Sequence, residues 1–126
     1  MVMQAPSPTV QRVLATATQA LQAGNLVVAE TVLAPLFSGV LPAHPDLLNV
    51  AGTLRTNQGR LPEAAALFGR AAAQAPQEPS FSFNLGLTLS RLGRLEEAEA
   101  AFRTTLKAKP DFVQAQFELG ALLHKT

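Results

Sequence analysis

Between Glu96 and Lys109 the small and apolar positions Ala98, Ala101, Phe102, Thr105 and Leu106 recur at the three- and four-residue steps of a helix. Acids fall early in this stretch and lysines late, an order that complements the helix dipole. The same kind of pattern runs through the chain and predicts seven helices, at about 8–23, 26–37, 45–58, 62–75, 79–92, 95–108 and 111–124, paired and joined by short turns. Local signals agree with those starts. Pro45, Pro62 and Pro79 suit a first helical turn, where the missing N–H would be unpaired anyway. Ser7-Pro8 reads as a cap and first residue of the leading helix. Asp111, with Gln114 three residues on, reads as a capping box for the last one.

Glycines punctuate this pattern in two series. Gly24, Gly59 and Gly93 are 35 and 34 residues apart, and each is followed by a leucine two residues on and an alanine five residues on. They fall where a chain leaving a helix wants positive φ, which glycine adopts without steric cost. Gly52, Gly86 and Gly120, 34 residues apart, fall in mid-helix instead. Glycine there costs ~1 kcal/mol relative to alanine. The cost is reasonable where a neighbouring helix crosses so closely that a Cβ would clash, and Ala64 and Ala98 are the expected opposing surfaces. A unit copied at this interval builds a solenoid, whose working surface comes from corresponding positions of successive units.

Composition narrows the chemistry. The 126 residues are 48% apolar, enough for a core, and 22 are alanine, which favours helix over strand. No cysteine is present, which removes disulfides, thiol catalysis and cysteine metal sites. The net charge of +1, with both signs interspersed, offers no basic stripe for nucleic acid. The N-terminus lacks a basic signal region, and no apolar run approaches the ~20 residues needed to cross a bilayer. The expectation is a soluble, cytoplasmic chain that uses neither membrane nor nucleic acid. His44 and His124 are far apart and form no metal-binding motif. The two aspartates, Asp46 and Asp111, sit at expected helix starts, where capping explains them. Glu96, Glu97 and Glu99 compensate a helix dipole, with Glu99 paired to Arg103 at i,i+4. No glycine pattern cradles phosphate. The chain is expected to be no enzyme and to hold no cofactor and no metal.

These positions resemble the tetratricopeptide repeat, a 34-residue helix–turn–helix unit. In Pro79–Phe112 the resemblance rests on Leu85-Gly86, the turn glycine Gly93, Ala98, Phe102 and Pro110. In 45–78 it rests on Gly52, Gly59, Ala64, Phe68, Ala71 and Pro76. Val113 onward repeats the first-helix pattern through Leu119-Gly120. The leading unit departs from it: Leu33 replaces the aromatic, Pro35 interrupts the second helix, and the Phe37–His44 connection is irregular. The family's tryptophan and tyrosines are absent. The resemblance implies an all-α, right-handed superhelix of antiparallel helix pairs, an α-solenoid of about three and a half repeats. They fall at about 8–44, 45–78, 79–112 and 113–126, with first helices lining the concave face.

The family's groove, carried over to this chain, implies a site for a protein or peptide partner. Its residues are Asp46, Asn49, Thr53, Thr56 and Asn57 in the second unit, then Ser80, Phe83, Asn84, Leu87 and Arg91 in the third. The last helix adds Gln114, Phe117, Glu118, Ala121 and Lys125. Amides and hydroxyls suit peptide backbone, and Phe83, Leu87 and Phe117 suit apolar side chains. Asn84 holds the position of the family's backbone-binding asparagine, although Val50 and Glu118 at the matching sites break any ladder; the alternative is that Asn84 only follows the repeat pattern on a wet surface. The carboxylate clamp of chaperone-tail binders fails in either register, on Glu118 or on Leu14 and Thr18.

Two further expectations concern the last helix and the parent protein. Phe117, Leu119, Leu122 and Leu123 carry apolar surface that a partner helix would cover, either a following segment of a longer protein or a second copy in a homodimer. Arrays of this family sit beside bacterial catalytic domains such as glycosyltransferases and sulfotransferases. The alanine-, leucine- and arginine-rich composition associates with a bacterial source. A non-catalytic recruiting arm is therefore the competing function.

Overall fold

The computed structural model describes residues 7–125, for Lys125 the backbone alone. These residues form seven helices: α1 Pro8–Gln22, α2 Leu26–Phe37, α3 Pro45–Asn57, α4 Leu61–Gln74, α5 Pro79–Arg91, α6 Leu95–Ala108 and α7 Val113–Lys125. The predicted bounds hold to within two residues. Gly24, Gly59 and Gly93 turn the chain at φ +74°, +77° and +77°, where an L side chain would be strained.

The helix starts show where local chemistry decided and where it did not. Ser7 Oγ accepts from Val10 N at 3.2 Å, as its place before Pro8 implies. At α3 the cap is His44, not Asp46: His44 Nδ1 accepts from Asp46 N at 3.1 Å, while Asp46 lies within the first turn. The expected capping box at Asp111 does not form, because α7 starts only at Val113. Gln116 there reaches back to the Pro110 carbonyl at 2.7 Å. Pro35 does not interrupt α2, which runs through to Phe37. It sits close enough to the end that its carbonyl accepts from both Val40 N and Leu41 N at 2.9 Å, which organises the irregular connection.

Two of the three glycines in the mid-helix series, Gly52 and Gly86, receive rings. A Cβ on Gly52 would lie 2.6 Å from the ring of Phe68, and one on Gly86 2.6 Å from the ring of Phe102. Ala64 and Ala98 are fully buried, but the atoms nearest each missing Cβ belong to the rings. Each glycine therefore opens a notch in a first helix that the aromatic of its own second helix fills. Gly120 has no atom within 4 Å of the Cβ it lacks.

The core is a chain of clusters, as a solenoid requires. One joins α1, α2 and α3 through Ala17, Leu33, Leu47, Ala51 and Leu54. A second joins α3, α4 and α5 through Leu48, Ala71 and Phe81. The third joins α4 to α7 through Ala65, Leu89, Phe102 and Leu122. A buried hydroxyl pair, Ser82 and Thr105 at 2.8 Å, ties α5 to α6 where Leu48 and Ala71 serve in the unit before.

The first junction adds charge. Arg55, only 7% exposed, donates to Glu30 at 2.6 Å and to Gln58 at 2.7 Å, lies 3.6 Å from Glu63, and stacks 4.0 Å over the Phe37 ring. Its position matches Leu89 one unit later, so a guanidinium replaces an apolar side chain where α2, α3 and α4 meet. The hydrogen bonds from Arg55 and then Gln58 hold the Glu30 carboxyl below the usual glutamate range.

Candidate functional site

First helices of successive units lie side by side, which brings equivalent faces of α3 and α5 together. Between them runs an open cleft of about 160 Å³, lined by Thr53, Thr56, Asn84, Leu87, Thr88 and Arg91 and floored by Phe68. Its volume is below the ~300–1,000 Å³ usual for small-molecule pockets. It is of a size to seat one side chain of a longer ligand.

Polar groups in the cleft are held in place by the helices that carry them. Thr53, Thr56 and Thr88 each donate to the backbone carbonyl one turn back, of Asn49, Gly52 and Asn84 respectively, at 2.9–3.1 Å. Each hydroxyl keeps lone pairs for an incoming N–H. Asn84 Nδ2 donates to Asn49 Oδ1 at 2.9 Å across the two units. That bond fixes both amides and leaves Asn84 Oδ1 as an acceptor and Asn49 Nδ2 as a donor, the complement of one peptide group. Arg91 stands at the C-terminal end of α5, exposed, and no acidic side chain is among those lining the cleft.

The groove residues expected from the sequence separate into three sets. Thr53, Thr56, Asn84, Leu87 and Arg91 line the cleft, and Asn49 joins it through Asn84. Phe83 turns partly inward, its ring 5.9 Å from Phe102 and 4.9 Å from Phe112. Asp46, Asn57, Ser80 and Phe117 lie outside the cleft lining: Ser80 bonds Glu78 at the start of α5 and Asn57 is exposed at the end of α3. The side chain of Lys125 lies outside the described residues. Thr88 and Phe68 also belong to the lining, beyond the residues the family's groove implies. Thr88 follows Asn84 by one helical turn, a signal the sequence did carry. Phe68 reaches the cleft only because Gly52 lets its ring through.

On α7 the expected apolar surface divides. Leu122 is 4% exposed and Leu119 packs on the same cluster, so both are already covered by the neighbouring unit. Phe117 is 72% exposed and Leu123 44% exposed.

Two tetratricopeptide repeat models match the chain, one over residues 14–79 and one over 56–123. The chain belongs to the tetratricopeptide repeat family. No curated protein matches it. Among solved structures, it is similar to a Thermobaculum terrenum O-GlcNAc transferase mutant, with 26% identity and a TM-score of 0.82. That match covers 99% of this chain but 24% of the transferase, so the chain spans about a quarter of that relative's length. It is also similar to the Yersinia enterocolitica type III secretion chaperone SycD in complex with a peptide of the translocator YopD. There the identity is 23%, the TM-score 0.82, and the coverage 95% of this chain and 96% of that one. The first tetratricopeptide domain of Spaghetti (RPAP3), bound to the HSP90 peptide SRMEEVD, matches with a TM-score of 0.85 at 16% identity, covering 96% and 98%. Among the described residues, no helix is long and apolar enough to cross a membrane.

Proposed function

We propose that the chain is a protein-interaction scaffold that holds an extended peptide in the cleft between α3 and α5. The observation that carries this reading is the Asn49–Asn84 amide pair, fixed across two units beside an open cleft of side-chain size. A peptide group meets Asn84 Oδ1 and Asn49 Nδ2, an apolar side chain enters beside Leu87, and a carboxylate pairs with Arg91. Two solved relatives of the same fold are bound to peptides, which supports the kind of ligand, not its sequence. The chain performs no chemistry of its own in this reading.

Selection from a random peptide library on the 126-residue chain tests it. The selected peptides should share an acidic residue near an apolar one. Replacing Asn84 and Arg91 together by alanine should weaken them at least tenfold by fluorescence anisotropy, with helicity unchanged. Equal affinity for the double variant would place binding elsewhere.

Two other readings each have a specific support. The transferase relative, of which this chain matches 24%, supports a recruiting arm beside a catalytic domain; the coding sequence after Thr126 in the native gene decides it. The open face of α7 supports self-assembly, since Phe117 and Val113 are exposed on it.

A further inference from the structure

Six residues of α7, namely Val113, Gln116, Phe117, Gly120, Leu123 and His124, are all exposed. Their spacing of three and four residues puts them on one face of the helix. The equivalent face of α5 is the one α6 covers: Ser82 meets Thr105, and the notch at Gly86 takes the Phe102 ring. Those two pairs step up α5 as they step down α6, the register of an antiparallel crossing. The chain thus displays twice, at Gly52 and Gly86, how a ring on an antiparallel helix fills a glycine notch on this face. On α7 the notch at Gly120 is empty, and a ring stands three residues before it: Phe117, 72% exposed.

A knob and a notch on one helix face make that face complementary to itself under a two-fold rotation. We propose that α7 pairs antiparallel with α7 of a second copy of this chain, each Phe117 ring seated in the notch at the partner's Gly120. The axis passes at the level of Glu118 and Leu119. The same register sets each Val113 opposite the partner's His124 and beside the partner's Leu123, so the exposed apolar residues at both ends of the face are covered as well. The occupant is a second copy because the ring that would fill the notch already lies on the same face, three residues away, where a two-fold axis places both rings in both notches at once. No carboxylate, lysine or arginine stands among the six residues, and the register sets each His124 opposite the partner's Val113 rather than the partner's His124, so like charges do not oppose the pairing. A helix of 13 residues is about 20 Å long, and one such crossing buries less than the ~1,000 Å² of a stable complex. The dimer is therefore weak and concentration-dependent.

This proposal rests on the self-assembly reading and specifies its register, and the two fail separately. Light scattering of the 126-residue chain, raised to about 500 µM, should show the mass climbing toward twice the monomer. A constant monomer mass would remove self-assembly and the register with it. Phe117→Ala and Gly120→Leu, both at exposed positions, should each weaken association at least tenfold while circular dichroism stays unchanged. A spin label on Gln114→Cys, the sole cysteine of that variant, should broaden amide signals of Leu123 and His124 in an isotope-labelled, unlabelled-spin copy. A dimer that persists in both variants, or broadening centred on α2 or on the cleft, would overturn the register and leave self-assembly standing.

Discussion

The first and third units solve one packing problem with different residues. In the third, Gly86 gives up its side chain and Phe102 fills the space. In the first, the equivalent positions hold Ala17 and Leu33, both fully buried in one cluster. One helix gains a methyl and the other loses a ring, so the interior stays filled. The units also differ in how they meet their neighbours. Unit one is tied to unit two partly by Arg55, Glu30 and the Phe37 ring, whereas units two and three meet through Leu48, Ala71 and Phe81. The lesson is that the repeat fixes the volume shared by a pair of positions rather than the residue at either one.

The largest effect should come from emptying the locks. Phe102→Ala should cost about 3–5 kcal/mol in urea unfolding, and Leu33→Ala about 2–4 kcal/mol, because less volume is lost. If Leu33→Ala proved the costlier of the two, the two locks would not be equivalent. A smaller and more discriminating effect comes from adding one methyl. Gly86→Ala should destabilise by about 1–2 kcal/mol, overpacking against the buried Phe102 ring despite the better helix former. In the monomer, Gly120→Ala should instead stabilise by up to ~1 kcal/mol, since nothing within the chain opposes its Cβ. Equal melting temperatures for these two variants would dissolve the distinction between filled and empty notches.

The smallest effect tests the charged junction. The folded-state pKa of Glu30 is lowered, so its contribution is present above the unfolded value of about 4.3 and is lost as pH falls through the folded value. The carboxylate is 40% exposed, which screens the pair and keeps the effect to tenths of a kcal/mol. Glu30→Gln should flatten the fall in urea midpoint below about pH 4.3 relative to the parent chain. An identical acid profile would assign the acid sensitivity to other carboxylates.

Legibility followed the range of the interactions. Turn glycines could be placed from the chain alone because positive φ is a local demand, and Ser7 because its cap reaches only Val10. The capping pattern at Asp111 competes with the tertiary placement of α7, which starts at Val113, and the cap at α3 comes from His44, a residue type outside the usual Ser, Thr, Asp and Asn caps. Arg55 carried a readable signal, a basic residue in register with Leu89 and Leu123, but its partner Glu30 lies 25 residues away. In the cleft, the residue types on α3 and α5 were in the period. The hydrogen bond between Asn49 and Asn84, which stand at non-equivalent positions of their units, was not.

The sequence by itself determined the seven helices, their turns and the interval that makes them a solenoid, since hydrophobic spacing and glycine backbone freedom act within a few residues. Only the tertiary structure decided what each mid-helix glycine is for. A missing side chain leaves the same letter in the chain whether a ring fills the space, as at Gly52 and Gly86, or nothing does, as at Gly120. That difference depends on which helix crosses there, and crossing is set by packing between elements far apart in the chain.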